Sequence, residues 1–78
     1  MSKREKKLAH LRQNPKNIRF HELETILLSL DFEKHLGSGS HVKFILNNHI
    51  IVVPKTGMFL KTVYIKQVLK VLDEIEEE

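Results

Sequence analysis

The chain has 78 residues, of which 41% are hydrophobic and 29% charged, with a formal net charge of +3. That is the make-up of one ordinary globular domain, too small for a second core and too apolar for a disordered chain. There is no cysteine, which excludes disulfides and thiolate metal sites and removes any pointer to an oxidising compartment. The longest apolar run, Ile50–Val53, is far below the roughly 20 residues of a membrane helix. No apolar stretch follows the basic start, as a signal peptide would require. A cytoplasmic protein with no membrane partner is therefore expected.

Residues 1–19 carry Lys3, Arg4, Lys6, Lys7, Arg12, Lys16 and Arg19 against a single Glu5. They read as a basic arm suited to a polyanion, because lysines and arginines that neutralise phosphates release counterions. The simpler alternative is a solvated arm. Residues 3–13 can form a weakly held helix, with Leu8 and Leu11 its only substantial apolar residues, ended by Asn14-Pro15. A single domain is expected over 20–76, with 77–78 an acidic tail.

Phe20 to Leu30 predicts the first firm helix, since Leu23, Ile26, Leu27 and Leu30 recur at helical spacing. Phe32 and Leu36 are expected to cover the end of that core, and Gly37-Ser38-Gly39-Ser40 breaks the pattern. From His41 the period becomes two: Val42, Phe44 and Leu46 share one face, and His41, Lys43 and Ile45 the other. Asn47-Asn48 reads as a tight hairpin turn. The run from His49 to Val53 then forms a second strand, whose continuous apolar character predicts cover on both faces. Met58–Lys61 is a candidate short third strand. Thr62 is a good N-cap for a last helix to about Glu76, with Ile65, Val68, Leu69, Leu72 and Ile75 facing inward. The fold class is thus α+β, with both helices on one face of an antiparallel sheet and the face bearing His41 and Lys43 open.

The five histidines show neither an i, i+4 pair nor a zinc-type spacing, so no metal is expected. His10, His21 and His35 read as surface residues without a role. With a two-residue turn, Leu46 pairs with His49 and His41 lies opposite Pro54, which keeps His41 and His49 apart. His41 is left as the one candidate. The plain reading is a polar residue at a strand start. The chemical reading is a general acid–base group, because imidazole has a free pKa of about 6.5. RNA offers the matching reaction: deprotonation of a 2′-hydroxyl, attack on the adjacent phosphate and protonation of the departing 5′-oxygen. Lys43, on the same face, would stabilise charge on the phosphate. The small residues Ser38, Gly39 and Ser40 would let a sugar-phosphate backbone approach their N–H groups.

Several stretches together resemble the HicA family, the small ribonuclease toxins of the HicA–HicB toxin–antitoxin systems. They are Asn14-Pro15-Lys16-Asn17-Ile18-Arg19-Phe20, Leu30-Asp31-Phe32, Gly39-Ser40-His41-Val42, Val52-Val53-Pro54 and the helix of residues 61–69. The resemblance covers most of residues 14–72. It implies a double-stranded-RNA-binding-like α-β-β-β-α fold and ribosome-independent cleavage of mRNA with His41 as the essential histidine. It also implies a HicB-like antitoxin that masks the active face, and no cofactor. The chain departs from the family pattern at Val42, at Lys55-Thr56-Gly57 after Pro54, and at Lys61-Thr62-Val63. The group that protonates the leaving oxygen stays open between water, Lys55 and His41 itself. RNA contacts are expected from Ser38, Gly39, Ser40, Lys43 and Lys55. Two other functions fit the same residues: a non-catalytic RNA-binding module, and a small interaction domain that uses Ile45, Ile51 and the basic arm to dock an acidic protein.

Overall fold

Helix α1 runs from Lys3 to Gln13 in a computed structural model that describes residues 3–37, 39–55 and 57–76. Glu5 lies in its first turn and Arg12 in its last, both favourable to the helix dipole. Asn14 N–H donates to the His10 carbonyl (2.9 Å) and closes the last turn before Pro15. The amphipathic signal is weak, yet Leu11 is fully buried and packs in the main core, with Leu8 partly buried against it. Asn17 then turns the chain through the left-handed region (φ 62°), which asparagine tolerates, and Ile18 enters the core.

Helix α2, Phe20–Ser29, buries Phe20, Leu23, Ile26 and Leu27, the stripe expected from its spacing. It ends in a Schellman arrangement. Asp31 takes the left-handed position (φ 72°), Phe32 N–H donates to the Leu27 carbonyl (3.1 Å) and Asp31 N–H to that of Leu28 (3.2 Å). The buried Phe32 and Leu27 are the apolar pair that accompanies this motif.

Three antiparallel strands follow in the order β1 (Glu33–Leu36), β2 (His41–Leu46), β3 (His49–Pro54). The β2–β3 hairpin has the expected register, from Leu46 opposite His49 to His41 opposite Pro54, with Asn47 at φ 53° in the turn. Val42 and Phe44 of β2, and Ile51 and Val53 of β3, point into one core. The Phe44 ring meets Phe20 of α2 at a centroid distance of 6.2 Å. Helix α3, Thr62–Glu76, starts at the expected cap residue itself and adds Ile65, Val68 and Leu72 to the same core. Both α2 and α3 therefore lie against one face of the sheet. Arg12 of α1 donates a hydrogen bond to Asp73 of α3 (2.5 Å), tying the first helix to the last.

Four expectations fail, the first being Ile51 as part of a docking surface, since its side chain is 5% exposed in the core. The third strand is Glu33–Leu36, not Met58–Lys61, where Phe59 forms only an isolated bridge to Arg19 and Leu60 N–H donates to the Ile18 carbonyl (2.7 Å). Residues 33–36 have no buried side chain, so no apolar alternation announces them; their charged character suits an edge strand. Leu36, expected to help close the core, is 78% exposed because its strand lies at that edge. Nor is β3 covered on both faces. Ile50 and Val52 are 58% and 40% exposed, although they line a groove with Gln67, Lys70, Val71 and Glu74 of α3.

Candidate functional site

The open face is built from alternate residues of the three strands. His35, Lys43 and Val52 form one cross-strand row, and Glu33, Ile45 and Ile50 the next. His41 and Pro54 pair at the open end of the sheet. His41, Lys43 and His35 are all exposed.

Local backbone bonds fix the start of β2. Gly37 N–H donates to the His41 carbonyl (3.0 Å), and Lys55 N–H donates to the Ser40 carbonyl (2.5 Å). Gly39 sits in the left-handed region (φ 69°), where a side chain would add strain. A Cβ at Gly37 would stand 3.0 Å from the His41 carbonyl oxygen, a tight approach that favours glycine. The small residues before His41 thus answer to backbone geometry: they close a tight connection and present the imidazole on an exposed strand start. Of the expected RNA-contacting residues, Gly39, Ser40, Lys43 and Lys55 are exposed around this end of the sheet, whereas Ser38 lies outside the described residues.

Lys43 lies two residues from His41 on the same face, and among the described residues no carboxylate pairs with it. Lys55 lines a groove of about 660 Å³ beside the N-terminus of α2, on the helical side of the sheet, shared with Arg19, Phe20, His21, Glu24 and Lys34. Lys34 Nζ is 2.7 Å from Glu24 Oε2, an ion contact without hydrogen-bond alignment, because that oxygen has no hydrogen-bond partner. The Arg19 guanidinium lies over the Phe59 ring at 4.9 Å. Lys6 and Lys7 instead line a hollow between α1 and α2 with His10 and Glu22, on the helical layer.

His49 sits opposite Leu46 at the far end of the hairpin, as its register predicts. His10 Nε2 is 3.2 Å from Glu22 and His21 Nδ1 is 4.0 Å from Glu24, both on the helical layer. His35 differs from these two. Expected as a bystander, it stands directly across from Lys43 on the open face, with Nε2 3.2 Å from Glu33 Oε2. Its position became legible only with the strand that carries it, because Glu-Lys-His-Leu gives no apolar alternation. Among the described residues no group of three or more His, Asp or Glu is arranged to hold a metal.

The face therefore combines two imidazoles, an unneutralised lysine, and an apolar strip of Ile45, Ile50 and Val52. Such a surface offers groups that can donate or accept protons and attract phosphate. No helix among the described residues is long and apolar enough to cross a membrane. Comparison with protein-family models, with curated proteins and with solved structures finds no match.

Proposed function

We propose that the chain is a metal-independent endoribonuclease of the HicA kind, the toxin of a toxin–antitoxin pair, on a double-stranded-RNA-binding-like α-β-β-β-α scaffold that α1 precedes. The observation that carries this reading is the placement of His41 and Lys43 on the uncovered sheet face, next to the Gly37–Ser40 connection. In this reading His41 takes the 2′-hydroxyl proton of an mRNA strand. Lys43 stabilises charge on the attacked phosphate, and Lys55, Gly39 and Ser40 hold the neighbouring backbone. Ser38, outside the described residues, is assigned the same role from the small-residue stretch of the sequence alone. No cofactor is required by this chemistry.

The second partner is a HicB-like antitoxin. A protein that covers the open face would bury Ile45, Ile50 and Val52 and place acidic groups on Lys43, neutralising the toxin by occupying its site. The exposed apolar strip favours this partner, and it would serve equally the alternative of a domain that only docks proteins. The other alternative is an RNA-binding module without cleavage.

Incubation of the purified protein with mRNA in excess chelator separates the three. Fragments ending in 2′,3′-cyclic phosphate, or its hydrolysis product, support the ribonuclease. Retention of RNA without cleavage supports the module, and absence of both supports the docking domain.

A further inference from the structure

Metal-free cleavage of RNA needs two proton transfers: one removes the 2′-hydroxyl proton and the other protonates the departing 5′-oxygen. His41 supplies one group, and the sequence leaves the other open between water, Lys55 and His41 itself. The structure offers a better candidate on the same face. His35 of β1 lies directly across from Lys43 of β2, and Lys43 is two residues from His41, so the two histidines are diagonal neighbours that flank the lysine. Diagonal positions on one sheet face are roughly 7–8 Å apart, somewhat less between Cβ atoms. That spacing admits one phosphate between two side chains, each reaching within about 3 Å of its own oxygen.

Glu33 completes the arrangement. Its carboxylate can only accept, so the 3.2 Å contact is a hydrogen bond donated by His35 Nε2–H. This holds the ring by one nitrogen and leaves Nδ1 to exchange a proton with a ligand. The bond to Glu33 uses Nε2–H alone, so it can persist whether Nδ1 carries a proton or has passed it on. His35 is half exposed, and Glu33 more so, as suits groups that meet substrate rather than support the core.

The geometry points to His35, oriented by Glu33, as the general acid that protonates the leaving 5′-oxygen while His41 acts as the base across the same phosphate. This assignment rests on the ribonuclease reading. The 2′-oxygen gives its proton to His41 and forms a bond to phosphorus. The P–O5′ bond breaks, its electron pair goes to O5′, and O5′ takes the proton of His35. The products are a 2′,3′-cyclic phosphate and a 5′-hydroxyl, with His41 protonated and His35 neutral. Lys43, between the two, faces the non-bridging oxygens. Glu33 is a positioning residue.

The test compares two substrates in excess chelator: an oligoribonucleotide, and uridine 3′-(4-nitrophenyl phosphate), whose nitrophenolate leaves without needing a proton. His41→Ala should slow both by roughly 10²–10⁴. His35→Ala should slow RNA cleavage by a similar factor, roughly 10²–10⁴, yet keep the nitrophenyl ester within about threefold of wild type. Glu33→Gln should follow His35→Ala in direction with a smaller loss, about tenfold, on RNA only. A merely structural role for His35 would lower both rates together. Equal loss on both substrates, or RNA cleavage within about threefold of wild type in His35→Ala, overturns the assignment while leaving His41 and the ribonuclease intact. A wild-type chain that cleaves neither substrate overturns the ribonuclease reading and the acid with it.

Discussion

Leu11→Ala tests whether α1 is an integral part of the folded domain. Leu11 is fully buried in the core cluster with residues of α2, β2 and α3, although its helix carries only one other substantial apolar residue. The substitution removes three carbons, about 2.4 kcal/mol at roughly 0.8 kcal/mol per buried CH₂. A residual cavity adds to this, but α1 is short and can settle inward, so the total should be about 3 kcal/mol, near the low end for buried leucines. In urea, with a slope of about 1 kcal/mol/M for so small a chain, the midpoint should fall by roughly 2–3 M. By thermal melting the shift should be about 12–24 °C, at 4–8 °C per kcal/mol. Leu28→Ala is the control: this residue of α2 is 45% exposed and should cost less than about 1 kcal/mol. A Leu11→Ala cost no larger than that control would show α1 to be a loosely attached arm. Its lysines would then be free to reach RNA, contrary to their position on the helical layer.

Asp31→Gly should stabilise the fold by about 0.5–1 kcal/mol, because glycine occupies the left-handed position at the end of α2 without steric cost; a lowered urea midpoint would contradict this. The Arg12 hydrogen bond, with its opposite charge, holds the Asp73 carboxyl below its ordinary value of 3.8. A carboxyl lowered in the folded state contributes stability that is present above its unfolded pKa and lost as the pH falls through its folded one. Carbon-detected NMR titration should therefore show Asp73 rising towards 3.8 in Arg12→Ala, and an unchanged titration would exclude the pairing in solution.

Where side chains alternate or recur with a clear period, the sequence was a sufficient guide. The β2–β3 register followed from Asn47-Asn48 and the out-in pattern of His41 to Phe44, and one slipped residue would have exposed Val42 and Phe44. The α2 and α3 stripes were equally plain. Strand β1 was not, because an edge strand of Glu, Lys, His and Leu buries nothing and owes its pairing to the tight Gly37 connection and the β2 backbone. Without that strand, periodicity places one histidine on the face, and β1 adds His35 as a second. The run Ile50 to Val53 misled in the opposite direction: apolar residues on both faces suggested two covered faces, whereas Ile50 and Val52 belong to an open surface. An apolar strip kept exposed is what a binding face requires, and periodicity alone does not distinguish it from a core.

The central claim is that His41 performs chemistry on RNA and does not merely bind it. The most direct measurement pairs single-turnover cleavage of an mRNA fragment, in excess chelator, with the affinity of the same fragment for wild type and His41→Ala. The account predicts a rate lower by roughly 10²–10⁴ in the variant, from loss of the general base. The dissociation constant should stay within about twofold, because the variant keeps Lys43 and Lys55, the cations proposed to bind the phosphates. A His41→Ala protein that cleaves as fast as wild type, or that loses cleavage only in proportion to lost affinity, would contradict it.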